Sequence, residues 1–358
     1  MEPDEEAARL TERLRQATLG YFDVLTMYAG QKLGLYEALA AAGPLTPSAL
    51  AARTATHPRY VREWLEQQAV GGLLTVDEAG APPESRRYSL PAGHARVLVL
   101  REDPLWQGTR PHSLLSVARR MPALLEAFRR GGGITCADHD EDSRTAQASL
   151  GQVAYLASMA EWMAALPDVD ARLRRAPAAR VADLGCGAGW SAIALARLYP
   201  LVSVDGFDLD PGSVALAREN AAASEVAARV RFEIRDAGDP TLSGSYELGV
   251  VFEALHDMPR PVEALRTLRR LAGEAGAVLV ADLKVAERFA APGDDLERFT
   301  YGWSVLSCLA SGMTGPAPAG TGAVMRPETL RAYAVSAGFQ GIELLPVPHE
   351  GWNFYRLR

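Results

Sequence analysis

The chain has 358 residues, enough for two domains of ordinary size, and 48% of them are hydrophobic, which supports a sizeable core. Its formal net charge of -7 argues against a nucleic-acid partner, because binding to phosphates depends on clustered Lys and Arg. The sequence has no apolar run of about 18 residues, the length that spans a bilayer, and its charged beginning lacks the apolar segment of a signal peptide. We therefore expect a cytoplasmic protein with no membrane partner.

The cysteines and the most acidic segment give no sign of a metal site. Cys136, Cys186 and Cys308 lie far apart and form no CxxC motif, so neither a zinc site nor a disulfide framework is predicted. The segment 138–142, which contains His139, follows three glycines and is typical of an exposed, solvated loop. The sequence therefore predicts no bound metal.

The first predicted element is a helix over residues 5–30 with an apolar stripe. Its apolar positions recur near helical spacing, at Leu10, Leu14, Ala17, Tyr21, Val24, Leu25 and Tyr28. The chain offers this stripe no earlier element to pack against. We therefore expect it to be buried against a second copy of the chain in a homodimer.

Three short helices and two strands are predicted next. The helices cover 33–42, 46–53 and 56–70, and residues 73–77 and 87–90 flank a turn as the strands of a wing do. This order is typical of a winged helix-turn-helix, whose usual partner is DNA. Residues 46–90 hold five Arg against five Asp and Glu, so the segment has no net charge. We expect it to dimerise or to cap a substrate, and DNA binding is the alternative.

A glycine-rich turn between two apolar strands is the most informative stretch. A strand at 181–184 leads into Gly185, Gly187 and Gly189, a helix at 191–198 follows, and the next strand, at 201–207, ends in Asp208. Glycine lets the backbone approach a ligand closely, and the start of a helix offers unpaired N–H groups. An acid at the end of the neighbouring strand suits two ribose hydroxyls. The sequence predicts a ligand that contains a nucleoside.

The spacing of these glycines separates two classes of ligand. The dinucleotide fingerprint GxGxxG requires a third glycine where this chain has Trp190. The run from Asp183 to Gly189, DLGCGAG, instead resembles motif I of the class I S-adenosylmethionine-dependent methyltransferases. This resemblance implies S-adenosylmethionine as cofactor and S-adenosylhomocysteine as product. The implied cofactor-binding residues are Asp183, Gly185, Cys186, Gly187, Gly189, Asp208, Leu209, Asp236, Ala237 and Phe252.

Two of these residues have a more specific expectation. Asp236 matches the family position whose carboxylate meets the adenine amino group, although an Asp after a strand is often only a turn former. Cys186 is expected to be a small loop residue and not a nucleophile.

The remaining elements predict the fold class. Strands at 230–235, 247–252 and 277–282 alternate with helices at 213–222 and 261–272, which indicates an α/β fold with a parallel sheet. A helix at 327–338 and strands at 342–347 and 352–357 end the chain. The resemblance implies a Rossmann-like, seven-stranded methyltransferase sheet with an antiparallel last strand, behind a mainly α winged-helix domain.

The expected division has three parts. Residues 1–95 form the N-terminal helix and the winged-helix dimerisation domain, and residues 96–166 form a helical connector beside the cleft. Residues 167–358 form the S-adenosylmethionine-binding domain, with a substrate-pocket insertion at 283–326.

The candidate catalytic residues follow the strand at 247–252. Methyl transfer to a hydroxyl requires alignment and removal of a proton, and His256 lies where parallel strands place such groups. The triplet Leu255 to Asp257 resembles the loop of plant-type small-molecule O-methyltransferases, in which this histidine is the base. Met258 replaces their usual tryptophan, and enzymes that methylate carbon also have a histidine here, so a base and an orienting or structural residue both stay open. Glu253 is the second candidate, and Asp257 is expected to fix the tautomer of His256 or to cap a helix at Pro259.

The acceptor pocket is expected beside this loop. Its candidate residues come from the helix at 147–166 and from the insertion, and they are Tyr155, Met159, Tyr301, Ser304 and Cys308. Ordinary packing is the alternative for these residues. The predicted function is methyl transfer to a hydroxyl or carbon of a small aromatic or polyketide-like metabolite in bacterial secondary metabolism. The alternatives are a non-methylating enzyme that binds S-adenosylmethionine and catalyses cyclisation or rearrangement, and a winged-helix regulator that responds to S-adenosylmethionine.

Overall fold

The computed structural model describes residues 2–135, 138 and 140–358, so Cys136 and His139 lie outside the described residues. Contacts divide the chain into two compact units. The first extends to Ser116 and includes Thr145–Val153, and the second comprises Val117–Arg144 and Ala154–Arg358. The three-part division drawn from the sequence stays a prediction.

The N-terminal part contains the predicted helices and wing. Its elements are α1 (Pro3–Lys32), α2 (Leu35–Ala42), α3 (Pro47–Arg53), α4 (Pro58–Val70), β1 (Thr75–Asp77), β2 (Arg87–Ser89), α5 (Ala92–Leu98) and α6 (Arg110–Arg119). Thr46 begins α3 because its hydroxyl accepts the N–H of Ala49 at 3.3 Å. Strands β1 and β2 pair antiparallel, and Leu50, Leu65 and Tyr88 are buried in a common core. This arrangement confirms the winged helix.

Arginines of the wing and of α4 are paired within the same module. Arg59 contacts Glu63 at 2.5 Å, Arg62 contacts Glu84 at 2.6 Å, and Arg86 contacts Glu66 at 3.0 Å. Each guanidinium that meets a carboxylate is less available to a phosphate. The expectation that this module does not bind DNA stays a prediction.

The second unit is built around a seven-stranded sheet. Its helices are α7 (Met121–Arg130), α8 (Glu141–Ala164), α9 (Pro167–Leu173), α10 (Trp190–Leu198), α11 (Pro211–Ala222), α12 (Pro261–Ala272), α13 (Asp295–Trp303), α14 (Leu309–Gly312) and α15 (Pro327–Ser336). Its strands are β3 (Arg180–Leu184), β4 (Ser203–Asp208), β5 (Val230–Ile234), β6 (Leu248–Phe252), β7 (Ala277–Leu283), β8 (Ile342–Leu344) and β9 (Trp352–Leu357). Helix α8 contributes residues to both units.

The strand order is β5-β4-β3-β6-β7-β9-β8. Strands β3 to β7 are parallel, whereas β9 pairs antiparallel with both β7 and β8. One apolar cluster includes Leu195 and Trp162, and another includes Leu265 and Leu268 from α12. The predicted mixed sheet with an antiparallel end is confirmed. Because the parallel strands end at one edge, their carboxyl-terminal loops meet there.

Three local expectations were wrong. Helix α8 begins at Glu141 and not near residue 147, because Asp140 accepts the N–H of Ser143 at 2.9 Å and begins the helix. Residues 140–142 of the acidic segment are therefore not a free loop, and Asp142 is buried and paired with Arg119 at 3.0 Å. Helix α12 begins at Pro261 and not at Pro259, and it has no side-chain cap, so Asp257 does not cap it.

The insertion between β7 and α15 is a helix with an irregular centre. The five residues Ser304–Cys308 form a π-helical turn between α13 and α14. Such turns are rare and change which side chains face a neighbouring element. Among the described residues no helix combines the length and the apolar character that a membrane span requires.

Candidate active site

The glycine loop joins β3 to α10 at the carboxyl edge of the sheet. The N–H of Gly185 donates to the carbonyl of Phe207 at 2.8 Å, and the N–H of Gly187 donates to Oδ2 of Asp208 at 2.8 Å. These bonds hold the loop against the end of β4. Gly189 is the N-cap of α10, so the N-terminus of that helix lies next to the loop.

The three glycines of the motif serve different purposes. All have positive φ, but a Cβ on Gly185 would lie 2.7 Å from the Ala254 Cβ, and one on Gly189 would lie 2.6 Å from the Phe232 ring. Both of these glycines permit close packing of protein against protein. A Cβ on Gly187 would meet nothing within 4 Å, so only Gly187 faces open space. A ligand therefore has room beside Gly187.

Asp183 lies at the floor of this loop. Its side chain is 1% exposed, Oδ2 accepts the Ser191 hydroxyl at 2.5 Å, and buried Oδ1 has no hydrogen-bond partner. Burial raises the pKa of Asp183 to about 7, the hydrogen bond from Ser191 opposes this rise, and the charge of Asp208 adds to it. An unpaired buried acceptor is costly unless a donor arrives. Asp183 is thus suited to a polar or cationic ligand.

The raised pKa of Asp183 predicts how stability depends on pH. Between about pH 4 and pH 7 the folded chain keeps a proton on Asp183 that the unfolded chain has released. The contribution of Asp183 to the free energy of unfolding therefore decreases as pH rises from about 4 to about 7. Urea unfolding should show that Asp183→Asn removes this loss, whereas Asp295→Asn, at a side chain that is 94% exposed, keeps it. Parallel pH curves for the intact chain and Asp183→Asn would contradict the assignment.

Asp208 closes the other side of the loop. Its Oδ2 accepts the N–H of Gly187 and its Oδ1 accepts the N–H of Asp210 at 2.9 Å. Burial raises its pKa, and these backbone hydrogen bonds act in the opposite direction. Each carboxylate oxygen has two acceptor sites, so Asp208 keeps capacity for ribose hydroxyls.

The other predicted cofactor residues lie in less uniform settings. Asp236 accepts the Gly238 N–H at 2.7 Å and pairs with Arg260, so its carboxylate is already bonded. Leu209 is 55% exposed, Ala237 is half-buried, and Phe252 is buried under the sheet edge. Cys186 is buried, and burial raises the pKa of its thiol well above the usual value, which suits a loop residue and not a nucleophile. The cofactor roles of these residues stay predictions.

His256 lies in a short 3₁₀ turn, Leu255–Asp257, directly after β6. Its ring is 2% exposed, and Nδ1 lies 2.6 Å from Oδ1 of Asp282, at the end of the adjacent strand β7. Burial lowers the pKa of His256, but the carboxylates of Asp282 and Asp257 outweigh burial and raise it well above its usual value. Asp282 lies 26 residues beyond His256 in the sequence, so no local spacing connects the two residues. Strand order, which places β7 beside β6, makes it the partner of His256.

Cys308 approaches the same turn from the insertion. The end of the π-helical turn places it beside His256 and Asp257, and candidate ligand atoms of the three side chains lie within 4.8 Å of one another. Gly312 is buried, and a Cβ there would lie 3.5 Å from the His256 carbonyl, so the helix packs directly on the turn. Burial raises the pKa of the Cys308 thiol to about 12.

Tyr155 and Glu253 lie beside Phe252, the last residue of β6. The Tyr155 ring centroid is 5.8 Å from that of Phe252, and burial raises the pKa of Tyr155, with further rises from the charges of Glu253 and Asp183. Tyr155 therefore stays a phenol beside two carboxylates. Glu253 has a φ of 50°, a left-handed conformation that is uncommon outside glycine and frequent at functional sites.

The remaining acceptor candidates are not equivalent. Ser304 is 7% exposed, and Tyr301 is 39% exposed with its hydroxyl 3.3 Å from Arg326. Met159 is 3% exposed and packs within the core beneath the sheet, so its burial does not support a place in the pocket. The assignment of Tyr301, Ser304 and Met159 to the acceptor stays a prediction.

Comparison with known proteins agrees with this architecture. Residues 176–306 match a family model described as a methyltransferase domain. The chain therefore carries a methyltransferase domain. Residues 23–100 match the Rv2258c-like winged HTH domain, so a winged helix-turn-helix precedes the methyltransferase domain.

Solved structures share the fold over the whole chain. Human N-acetylserotonin methyltransferase, solved with SAM, has a TM-score of 0.74 at 20% identity and covers 100% of this chain and 99% of its own. The mitomycin 7-O-methyltransferase MmcR has a TM-score of 0.72 at 19% identity, with 99% of both chains covered. A putative O-methyltransferase from Nostoc punctiforme has a TM-score of 0.68 at 19% identity and covers 100% of this chain and 99% of its own. The class I methyltransferase fold is thereby confirmed.

A local sequence match adds a fourth relative. The release factor glutamine methyltransferase of Geobacter sulfurreducens is 50% identical over 54 residues, which are 15% of this chain and 19% of that relative. The match thus spans about a fifth of the relative's length.

Proposed function

We propose that this chain is an S-adenosylmethionine-dependent methyltransferase that acts on a hydroxyl of a small aromatic or polyketide-like molecule. The observation that carries the proposal is the 2.6 Å contact between His256 and Asp282, at the sheet edge that also holds the Gly187 loop. A histidine oriented by a carboxylate is suited to remove a hydroxyl proton. Two relatives in fold are named for mitomycin and N-acetylserotonin, which supports a small-molecule acceptor.

The residues around the glycine loop fit S-adenosylmethionine. Open space beside Gly187 leaves room for the ligand, and the unpaired Oδ1 of Asp183 favours a cationic or hydrogen-donating amino-acid group. Asp208 at the end of β4 would hold the ribose hydroxyls. When bound, this cofactor supplies a methyl group on a positively charged sulfur.

His256 would act on the acceptor through one defined nitrogen. Asp282 accepts the Nδ1–H, which leaves Nε2 as the nitrogen that can take a proton from the acceptor hydroxyl. Asp282 and Asp257 would then stabilise the imidazolium, because both carboxylates favour its charged form. The phenol of Tyr155 would remain a hydrogen-bond donor at this edge.

The raised pKa of His256 predicts an alkaline pH dependence. A general base must be neutral, so kcat/KM should rise with pH as His256 loses its proton. Asp282→Asn removes a charge that raises this pKa, so the rise should move to lower pH while the maximum rate falls. Rate profiles from pH 6 to pH 10, about the range in which such groups titrate, measure both effects. If the pH profile of Asp282→Asn matches that of the intact chain, Asp282 does not set the pKa of His256.

The proposed function is tested by binding and turnover together. Calorimetry with S-adenosylmethionine and S-adenosylhomocysteine tests the cofactor, and transfer of a labelled methyl group to a panel of phenols and hydroxylated polyketides tests the acceptor. Binding without transfer to any hydroxyl, but with methylated carbon in the product, would replace the proposed oxygen acceptor by carbon. Failure to bind either compound would overturn the proposal.

We also propose a homodimer formed through α1. Four large apolar side chains on this helix are more than half exposed: Leu10 57%, Leu14 61%, Tyr21 52% and Phe22 53%. Monomeric proteins rarely expose such a contiguous apolar surface to water. A second copy of the chain would bury it. Sedimentation should give a dimer for the intact chain and for Arg13→Glu, and a monomer for Leu14→Glu. A monomeric intact chain would exclude this role.

Cytoplasmic location and a place in bacterial secondary metabolism stay predictions.

A further inference from the structure

His256, Asp257 and Cys308 bring together three types of metal ligand. Candidate ligand atoms of the three residues lie within 4.8 Å of one another, and Nε2 of His256 is 3.3 Å from Oδ1 of Asp257. Nitrogen and oxygen ligands of a tetrahedral zinc ion are each about 2.1 Å from it and hence about 3.4 Å apart. We propose that these three side chains bind a zinc ion, and that the bound ion blocks methyl transfer.

The outer contacts of this cluster resemble those of established zinc sites in general. A metal-binding histidine commonly donates its second ring N–H to a carboxylate, which orients the ring. Asp282 is placed to accept that bond from Nδ1 of His256 at 2.6 Å. Oδ1 of Asp257 is buried and lies 3.3 Å from Nε2 of His256, so these two proposed ligand atoms border the same small space.

The cluster carries an excess of negative charge that a divalent ion would offset. With the histidine neutral and the cysteine ionised, Asp257, Asp282 and Cys308 contribute three negative charges. The guanidinium of Arg120 contributes one positive charge, and it interacts with Asp140 and Asp138 as well as with Cys308 and Asp257. Burying charge is costly unless it is compensated, so this excess favours a bound cation.

The ligand set also selects the type of metal. Imidazole nitrogen and thiolate sulfur suit zinc, whereas magnesium and calcium prefer oxygen ligands throughout. Three protein ligands leave a fourth position for water or another small ligand. The ion can enter from the side of Asp257, whose side chain is 35% exposed, whereas His256 itself is 2% exposed.

Zinc would inhibit the enzyme because metal binding and proton transfer would use the same lone pair on Nε2 of His256. Nε2 of His256 cannot hold zinc and accept a proton at the same time. This consequence rests on the proposed base role of His256, whereas binding of zinc does not depend on it. Zinc would therefore act as a reversible inhibitor that a chelator removes.

The experiment uses the full-length, chelator-treated protein and zinc chloride alone. Calorimetry should show one zinc bound per chain with release of protons, because the ligands must be deprotonated. Cobalt(II) in place of zinc should give a thiolate charge-transfer absorption. Cys308→Ser should abolish that absorption, and Asp282→Asn should weaken zinc binding about 10- to 100-fold. Cys186→Ser, at a buried thiol outside the cluster, should leave the absorption intact.

Distinct results separate this proposal from the proposed function. Zinc binding that Cys308→Ser leaves unchanged, or no cobalt absorption in the intact protein, would overturn the site. Zinc binding with the expected variants but without inhibition of methyl transfer would retain the site and overturn the inhibitory role. Failure to bind S-adenosylmethionine would overturn the proposed function and leave the zinc measurements valid.

Discussion

Replacement of His256 by alanine is expected to lower kcat at least about 100-fold, the usual contribution of a general base. The side chain is the one that Asp282 orients, and its loss leaves the acceptor hydroxyl without a proton acceptor. Binding of S-adenosylmethionine should change little, because the proposed mechanism assigns cofactor binding to the glycine loop and Asp208 and not to His256. Single-turnover assays and calorimetry on the same protein measure the two quantities.

A matched control distinguishes a base from a merely structural histidine. His349 lies in the turn before β9, where its Nδ1 accepts the N–H groups of Gly351 and Trp352 at 3.2 and 2.8 Å. His349→Ala removes a different imidazole, one that is half-buried, and should retain most of the turnover. Added imidazole should partly restore His256→Ala if only proton removal is lost. Unchanged turnover in His256→Ala would exclude the base role.

Replacement of Asp208 by asparagine is expected to weaken S-adenosylmethionine binding about 10- to 100-fold. The carboxylate both holds the Gly187 N–H at 2.8 Å and would accept the ribose hydroxyls, and hydrogen bonds to a charged group contribute about 1.5–3 kcal/mol. Asparagine keeps the volume and removes the charge. Calorimetric titration with S-adenosylmethionine and S-adenosylhomocysteine should show the same loss for both.

Asp205 provides the control on the same strand. It pairs with Arg180 at 2.6 Å and lies three positions before Asp208 in β4, on the part of the strand away from the glycine loop. Asp205→Asn should leave cofactor affinity unchanged within about 2-fold, because the Asp205 carboxylate contacts Arg180 and the Tyr246 hydroxyl and not the glycine loop. Equal losses in both variants would point to a general defect of β4 and contradict the assigned role of Asp208.

The candidate site was predictable where its chemistry is local. The glycine loop, Asp183 and Asp208 follow one another at fixed spacing, so the strand–turn–helix–strand pattern places them together. The same pattern could not distinguish the three glycines. The structure shows that Gly185 and Gly189 are required by packing against Ala254 and Phe232, and that Gly187 alone leaves open space.

By itself, the sequence determined the alternation of strands and helices, the winged helix and the cofactor loop, because periodicity and turn residues act over a few neighbouring positions. The tertiary structure decided the partners of His256. Asp282 reaches it through the pairing of β6 with β7, and Cys308 reaches it through a π-helical turn that packs on the 3₁₀ turn. Such contacts join distant segments, and they depend on strand order and helix packing that no local spacing encodes.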